Sequence, residues 1–241
     1  MRHLQPVLLL IILSFTSLVH SQEIHVATDV WEGYTNKDGT GYYLEVIKSI
    51  FPAPQYSIKI SYVPYMRAVS MVKSGQADVV LGVYMGDLDD KLVAQKNYVE
   101  IDEIDIVVNQ SFAKTWQGVA SLRDKRVVAQ IGFGFNELFD TPMKYSEKVD
   151  LVGMLKMLKS GRTDAVIDYV GDIKRVWSTA GMNDDFAIIR RIKTNKTYFA
   201  FSQKKPALKV HFEDKFSALV ASGKIKAIGL KHGLNEASIP Q

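Results

Sequence analysis

The sequence predicts an α/β protein made of two similar lobes, joined by two hinge strands and separated by a ligand cleft. Three observations support this fold class. An eight-residue pattern occurs twice, each time between a helical stretch and a strand-like stretch. In the first part of the chain, apolar periodicity alternates in the order β-α-β-α-β, which is typical of a mostly parallel sheet covered by helices. Strand-like segments near residues 108 and 195 then suggest that the chain crosses twice between the lobes.

The repeated pattern is Lys73–Val80 (KSGQADVV) in its first copy and Lys159–Val166 (KSGRTDAV) in its second. Each copy follows a helical run rich in Met, Leu and Val and precedes a short apolar run. A glycine just beyond a helix adopts the left-handed conformation that ends it, since it has no Cβ. A short apolar run is typical of a buried strand. Each copy therefore predicts a helix, a tight stop and a strand, and the match favours two related lobes over coincidence.

The N-terminal segment predicts a secretory signal peptide over residues 1–21. Arg2 precedes an unbroken apolar run that begins at Val7, and Val19 and Ser21 occupy the −3 and −1 positions of a suitable cleavage site. A membrane anchor is the alternative. It is disfavoured because the run falls short of the roughly 20 apolar residues that a span needs and no basic flank follows it. We therefore expect an exported, periplasmic protein that begins at Gln22.

Composition narrows the possible functions. Removal of residues 1–21 from the 241-residue chain leaves 220, which suits one large domain or two lobes of about 100 residues. The chain has no cysteine, so we expect neither disulfides nor a lipoprotein anchor, and its 47% apolar residues must supply the core. The net charge of +4 comes from interspersed acids and bases, unlike a nucleic-acid-binding surface. The histidines show no metal-ligand spacing, and we expect no metal and no cofactor.

The elements of the first lobe follow from hydrophobic periodicity. Strands are predicted over 23–28, 57–63 and 79–83, and helices over 42–51 and from Pro64 to Gly75. The segment Pro52-Ala53-Pro54 ends the first helix, because proline cannot continue it. An alternating run from Tyr98 to Val108 predicts the strand that leaves this lobe.

The second lobe repeats the alternation. Strands are predicted over 126–131, 165–167 and 186–192, with helices beginning near Asn136, preceding Lys159 and following Tyr169. A strand over 197–202 is expected to return to the first lobe, followed by a long helix and a short tail helix. Lobe 1 is thus predicted to comprise residues 22–108 and 196–241, and lobe 2 residues 109–195.

Candidate ligand-binding residues follow from this topology. In open parallel α/β sheets, ligands bind beyond the carboxyl ends of the strands. This rule selects the loop after the first strand, the end of the third strand, the glycine-rich segment at 132–135 and the end of the strand in the second repeat. The residues predicted to bind a ligand are Asp29, Trp31, Tyr34, Arg67, Gly82, Tyr84, Gly132, Phe133, Gly134, Asp168 and Tyr169.

Several of these residues have two possible roles. Trp31, Tyr34 and Tyr84 either stack on a ligand or its cation, or pack on neighbouring helices. Arg67 lies in the first turn of a helix, where the dipole disfavours a cation. Bidentate binding of a ligand carboxylate would offset that cost, and the alternative is an exposed arginine paired with an acid.

The second lobe offers an anion site and a cation site. Gly132-Phe133-Gly134 precedes a predicted helix, where free backbone N–H groups suit an anion. It is not a dinucleotide-binding fingerprint, because Glu137 stands in place of the third glycine. Asp168 either binds a ligand ammonium group or caps the next helix. Asp29 and Asp168 are the nearest candidates for a catalytic pair, but the sequence does not set their distance, so we predict no catalytic residue.

The chain resembles the family 3 extracytoplasmic solute-binding proteins of bacterial amino-acid ABC importers, from about Ile24 to Gly233. The segments that carry the resemblance are Ala27-Thr28-Asp29 before an aromatic loop, Gly39-Thr40-Gly41-Tyr42, the two repeats and Ser121–Val127 (SLRDKRV), in this order and spacing. Pro64-Tyr65-Met66-Arg67-Ala68 resembles the signature of a divergent branch. The resemblance implies a periplasmic-binding-protein-like fold and a ligand held between the lobes.

The departures from the family pattern concern the ligand. The family usually follows its third strand with Gly-x-Thr-x-Thr-x-x-x-Arg, whose arginine binds the ligand α-carboxylate, but Gly82–Lys91 (GVYMGDLDDK) lacks the arginine and both threonines. The family also has an aspartate that binds the ligand ammonium group. In this sequence the corresponding position is Tyr169, one residue after Asp168. Arg67 is a hypothetical replacement for the lost arginine. The resemblance therefore implies the fold without implying amino-acid specificity.

The sequence predicts a monomeric, non-enzymatic periplasmic protein that captures a small polar solute, amino-acid-like or a carboxylate, for an inner-membrane ABC permease. Two alternatives stay open. The fold also resembles that of periplasmic cyclohexadienyl-dehydratase-like enzymes, which would need a cleft acid such as Asp168. The other alternative is a sensory binding module that reports its ligand state to a membrane sensor.

Overall fold

The structure is a computed structural model that describes residues 21–241, so the predicted signal peptide lies outside the described residues except for Ser21. The strands are β1 (Gln22–Thr28), β2 (Tyr56–Tyr62), β3 (Val79–Val83), β4 (Leu92–Ala94), β5 (Glu100–Asn109), β6 (Arg126–Gln130), β7 (Lys144–Lys148), β8 (Ala165–Asp168) and β9 (Phe186–Ser202). The α-helices are α1 (Tyr42–Ile50), α2 (Tyr65–Ser74), α3 (Gln110–Lys114), α4 (Leu151–Lys159), α5 (Val170–Val176), α6 (Pro206–Ala221) and α7 (Lys224–Lys231).

The strands form one sheet in the order β2-β1-β3-β9-β5-β8-β6-β7, with β4 paired to β9. In one half, β1 pairs in parallel with β2 and β3; in the other, β6 pairs in parallel with β7 and β8. Strand β9 lies antiparallel to β3 and β5, and β5 lies antiparallel to β8. We call the half around β1 lobe 1, the half around β6 lobe 2, and β5 and β9 the hinge strands. The predicted two-lobed α/β fold is confirmed.

Hinge strand β9 is longer than the sequence predicts. Two strands were expected, over 186–192 and 197–202, but the ladder runs over 17 residues. The segment between them is polar and largely exposed, so it shows no apolar alternation, yet it pairs with β5, with Thr194 opposite Glu103. The register shifts next to Arg191, which adopts a left-handed φ of 55°. The lobe boundaries at residues 108 and 195 stay a prediction, because both hinge strands continue through them.

Each lobe has apolar clusters on both faces of its part of the sheet. In lobe 1, Phe199 and Phe212 are fully buried between β9 and α6. Smaller side chains, including Ala68 and Val72, pack α2 against the other face. In lobe 2, α4 and α5 cover one face, and Phe135 lies in the cluster on the other. No helix within residues 21–241 combines the length and the hydrophobicity that a membrane crossing requires.

Three short elements, β4, α3 and β7, are not predicted from the sequence. Strand β7 (KYSEK) lies at the edge of the sheet, where polar side chains on both faces leave no apolar alternation. The helix predicted near Asn136 is a single 3-10 turn, Phe135–Leu138, rather than an α-helix. The helical conformation ends at Phe139, whose dihedral angles are extended, with a φ of −125° and a ψ of 130°.

The repeated pattern makes the same joint in each lobe. Its glycine takes a left-handed φ, 81° in the first copy and 69° in the second. Its aspartate holds the chain to the first strand of the lobe: Asp78 Oδ2 accepts the N–H of His25 at 2.9 Å, and Asp164 Oδ2 accepts the N–H of Arg126 at 2.8 Å. The backbone N–H of each aspartate also donates to the carbonyl of its partner, from Asp78 to His25 and from Asp164 to Arg126, both at 2.8 Å.

We expect Asp78→Ala to destabilise the protein by about 3 kcal/mol and Asp164→Ala by about 1 kcal/mol. Both substitutions leave a strand N–H without its acceptor. The side chain of Asp78 is 5% exposed and that of Asp164 is 31% exposed, so water replaces the lost acceptor more readily in the second copy. Urea unfolding measures the two losses. The Asn variants, which keep an acceptor oxygen, serve as controls, and equal losses for the two Ala variants would contradict this explanation.

Candidate functional site

A cavity of about 510 Å³ lies between the two lobes, within the size range of small-molecule sites. Lobe 1 contributes the loop after β1 and the end of β3, including Trp31 and Tyr84. Lobe 2 contributes the glycine-rich segment and the end of β8, including Phe133 and Tyr169. Hinge strand β5 runs along the cavity from Glu100 to Glu103. Residues from both lobes and from the hinge therefore enclose one space.

The structure brings most of the predicted site residues together. Seven of the eleven line the cavity, namely Trp31, Tyr34, Gly82, Tyr84, Gly132, Phe133 and Tyr169, whereas Asp29, Arg67, Gly134 and Asp168 do not. Among the described residues, no group of three or more His, Asp or Glu side chains is placed to hold a metal ion. Which of the lining residues touch a ligand stays a prediction.

Asp29 supports the fold next to the cavity. Its Oδ1 accepts the N–H of Val30 at 2.7 Å, and its Oδ2 accepts the N–H of Tyr65 at 3.1 Å. Oδ2 thus holds the end of β1 against the start of α2, and Oδ1 fixes the local turn at Val30. Arg67, two residues further along α2, is exposed and does not line the cavity. The hypothesis that Arg67 binds a ligand carboxylate stays a prediction, and this arrangement does not favour it.

The backbone N–H groups of the glycine-rich segment already bind an anion. Gly132 N–H donates to Glu147 Oε2 at 2.9 Å, and Gly134 N–H donates to Glu147 Oε1 at 3.2 Å. Glu147 lies on β7, which the sequence does not predict as a strand, so this partner was not foreseen. A carboxylate of the protein therefore occupies the amides that the sequence predicts for a ligand anion.

Aromatic rings form the walls of the cavity in lobe 1. The ring of Trp31 packs edge-on to Tyr43, with centroids 6.5 Å apart, and against Tyr65 at 6.0 Å. Gly82 makes room for this indole, because a Cβ at that position would lie 2.9 Å from the Trp31 ring. Trp31 thus both packs on lobe 1 and lines the cavity, so the two roles left open by the sequence are compatible.

The two lobes touch across the cavity. The hydroxyl groups of Tyr84 in lobe 1 and Tyr169 in lobe 2 are hydrogen-bonded at 2.5 Å. The ring of Tyr65 meets that of Phe133 at a centroid distance of 6.3 Å. Glu32 in lobe 1 and Arg175 in lobe 2 form an ion pair at 3.7 Å. These contacts describe a closed arrangement of the lobes.

Two acids on hinge strand β5 are not predicted as site residues from the sequence. Glu100 is 3% exposed and accepts the Tyr34 hydroxyl at 2.7 Å through Oε1, while Oε2 has no partner. Asp102 accepts the Tyr84 hydroxyl at 2.9 Å and keeps part of its surface open to the cavity. One feature of the sequence could have indicated these two acids. Acids at alternate positions share one face of a strand, and an acidic face is unusual in a strand that is otherwise buried.

Burial disfavours the charged form of both acids. It raises the pKa of Glu100 well above its usual range, and the negative charge of Asp102 raises that pKa further. Burial also raises the pKa of Asp102 to about 6, although the hydroxyl groups of Tyr84 and Tyr169 favour its charged form. Without a nearby cation, Glu100 therefore keeps its proton at neutral pH, whereas Asp102, with a pKa of about 6, is largely ionised there.

Asp168 is another buried acid, 1% exposed, next to the cavity-lining residue Tyr169. Its Oδ1 accepts the N–H of Tyr169 at 2.8 Å, and its Oδ2 has no partner. Burial, with a further contribution from the charge of Asp172, raises the pKa of Asp168 to about 8. Asp168 thus keeps its proton at neutral pH.

We expect Asp168→Asn to reduce the loss of stability that accompanies rising pH. The folded-state pKa of about 8 lies above the unfolded value of 3.8. The contribution of Asp168 to the free energy of unfolding is therefore complete below about pH 4 and is lost as pH rises through 8. Between about pH 6 and pH 8, the free energy of unfolding of the variant should fall with pH less steeply than that of the unmodified protein, by up to about 1.4 kcal/mol per pH unit.

Urea unfolding at several pH values measures this slope. Asp38→Asn is the matched control: hydrogen bonds from Thr40 lower the pKa of Asp38, so it stays charged over this range. An Asp168→Asn variant with the slope of the unmodified protein would contradict the assignment.

Comparisons with known proteins identify the fold. No protein-family model matches this chain, and no curated protein sequence matches it. Among solved structures, the chain is similar to YtmK of Bacillus subtilis, a probable amino-acid ABC transporter extracellular-binding protein, with a TM-score of 0.66 and 20% identity over 88% of this chain and 97% of that one.

Two further structures have the same fold. An ABC uptake transporter substrate-binding protein of Streptococcus pneumoniae with bound histidine gives a TM-score of 0.65 and 16% identity, over 87% of this chain and 91% of that one. The GluR0 ligand-binding core in complex with L-glutamate gives 0.70 and 14%, over 88% of this chain and 97% of that one. At these identities the similarity establishes the shared fold.

Proposed function

We propose that this protein is an exported solute-binding protein that captures a small polar solute between its two lobes and delivers it to a membrane ABC importer. The observation that carries the proposal is the cavity between the lobes, which is enclosed by residues of both lobes and contains an unpaired buried carboxylate oxygen. The similar structures support it, since two are named as ABC transporter binding proteins and two hold an amino acid.

Capture would work by closure about the hinge strands. Trp31 and Tyr84 on lobe 1 and Phe133 and Tyr169 on lobe 2 meet only when the lobes are together, so a solute between them favours the closed state. The hydrogen bond between Tyr84 and Tyr169 adds to this preference. A permease that recognises both lobes at once would then distinguish the loaded protein from the empty one.

The finer features of the proposal rest on the sequence. We propose membership of a divergent branch of the family 3 solute-binding proteins, a signal peptide over residues 1–21, release into the periplasm as a monomer, and lobes divided at residues 108 and 195. We propose binding without turnover. The ligand contacts proposed are the lining aromatic residues, with Asp29 and Gly134 supporting the loops that carry them.

We expect a thermal-shift screen of amino acids, amines, small carboxylates and sugars to give at least one solute that stabilises the protein. A solute at a hundredfold excess over its Kd stabilises the folded state by about 2.7 kcal/mol. Tyr84→Phe should weaken binding of that solute by about tenfold, because it removes the hydroxyl that joins Asp102 to Tyr169.

Tyr62→Phe is the matched control, since its hydroxyl donates to the carbonyl of Asn36 away from the cavity. Small-angle scattering with and without the solute would measure closure. A screen without a single stabilising solute, or a solute whose binding Tyr62→Phe weakens as much as Tyr84→Phe does, would contradict the proposal.

A further inference from the structure

We infer that the solute is a protonated amine without a carboxylate group, held by the carboxyl groups of Glu100 and Asp102 inside the aromatic cavity. This inference rests on the proposed function and specifies the chemical class of the solute. It depends on three features of the described residues: an unpaired acceptor, aromatic faces around it, and the prior engagement of the groups that would bind an anion.

The unpaired acceptor is Glu100 Oε2. Glu100 is 3% exposed and lines the cavity, its Oε1 accepts the Tyr34 hydroxyl at 2.7 Å, and its Oε2 has no partner. The hydroxyl of Tyr43 lies close enough to Glu100 to favour its charged form, but its hydrogen bond is made to Thr197 Oγ1, at 3.2 Å, and not to Oε2. A buried acceptor without a donor is costly to the fold. A donor supplied by the solute removes that cost, which makes Glu100 a binding group rather than part of the frame.

Asp102 places a second carboxylate beside the first. The two residues are separated by one position on β5, so they lie on the same face, about 7 Å apart along the strand. Two acids at that distance repel each other when both are charged. A cation between them relieves this repulsion, whereas a solute carboxylate would add to it.

Aromatic faces complete a cation site. Trp31, Tyr65, Tyr84, Phe133 and Tyr169 all line the cavity. The faces of such rings attract a cation within about 6 Å of the centroid. A quaternary ammonium group would also suit the rings, but it has no N–H to donate to Glu100 Oε2. The unpaired oxygen therefore favours a protonated amine.

The arginines that line the cavity are already paired. Arg190 donates to Asp105 at 2.7 Å and to Glu103 at 3.3 Å. Arg191 lies 3.4 Å from the same Glu103 carboxylate. His232, the remaining base in the lining, is hydrogen-bonded to Glu45 at 2.8 Å. Within the described part of the chain, every basic side chain that lines the cavity thus has an acidic partner.

The backbone anion site is engaged as well. Glu147 accepts the N–H groups of Gly132 and Gly134, and it also accepts the Tyr145 hydroxyl at 3.2 Å. Arg67 lies outside the cavity. A solute carboxylate would therefore enter a space lined by six acidic side chains and by three basic ones, each of which is already paired with an acid.

Calorimetric titration with matched pairs of solutes tests the inference on the exported protein. The pairs are cadaverine with L-lysine, putrescine with L-ornithine and agmatine with L-arginine, which differ only in the α-carboxylate. Choline represents quaternary ammonium compounds. We expect at least one amine to bind at least about tenfold more tightly than its paired amino acid, and more tightly than choline.

Glu100→Gln should weaken amine binding by at least about tenfold, because glutamine cannot ionise beside the bound amine and turns one acceptor into a donor. Glu23→Gln is the matched control, since Glu23 is an exposed residue of β1 outside the cavity. A thermal melt of each variant shows that it is folded. Asp102→Asn, which neutralises the second acid, should also weaken binding of the same amine.

The outcomes separate this inference from the proposed function. Amino acids that bind as tightly as their amines, or more tightly, would overturn the inference and leave the proposed function standing. Choline binding that matches the amines, or amine binding that Glu100→Gln leaves unchanged, would overturn the assignment to Glu100. A failure of both members of every pair to bind would overturn the inference, and a blank in the wider solute screen would remove the proposed function with it.

Discussion

The pairing of β5 with β9 is the interaction on which the rest of the structure depends. These strands are the connections between the two parallel half-sheets, and they form the middle of the strand order. The same pairing sets Glu100 opposite Thr197, where the Thr197 hydroxyl donates to the Glu100 carbonyl at 3.3 Å and is joined to Tyr43. The strand that joins the two lobes therefore also carries the acids of the cavity.

Buried acids are treated in two ways in this protein. Asp105 is completely buried and accepts the N–H of Val170 at 2.8 Å, the guanidinium of Arg190 at 2.7 Å and the N–H of Arg191 at 2.9 Å. Three donors satisfy its two oxygens, as a buried polar group requires. Glu100, five positions earlier on the same strand, has one donor and an open oxygen. The contrast separates an acid that holds the hinge from one that is available to a solute.

Two local patterns that look like ligand sites are used by the fold itself. Both oxygens of Asp29, at the end of β1, accept backbone N–H groups, and both oxygens of Glu147 accept N–H groups of the glycine-rich segment. Each group keeps the loop beside it in the shape that the cavity needs. Among the described residues that line the cavity, the buried polar atom without a partner, Glu100 Oε2, lies instead on the hinge strand, and the cavity is acidic and aromatic in character.

The sequence by itself determined most of the elements and their order. Local periodicity and turn chemistry predicted β3 with its observed bounds, α1 and α2 to within a residue or two, and the left-handed glycine after each repeat, because these features depend on neighbours a few residues apart. It also predicted seven of the residues that line the cavity, through the rule on strand ends.

Only the tertiary structure decided which polar groups are free. Glu100 meets Tyr34 across 66 positions of the chain, Asp102 meets Tyr84 across 18, and Glu147 reaches the glycine-rich segment through the pairing of β6 with β7. The continuity of β9 likewise depends on β5, since the polar residues of its middle have no apolar pattern of their own. A polar group in the cavity is free only if no distant residue pairs with it, and a local sequence pattern does not show which distant residues do.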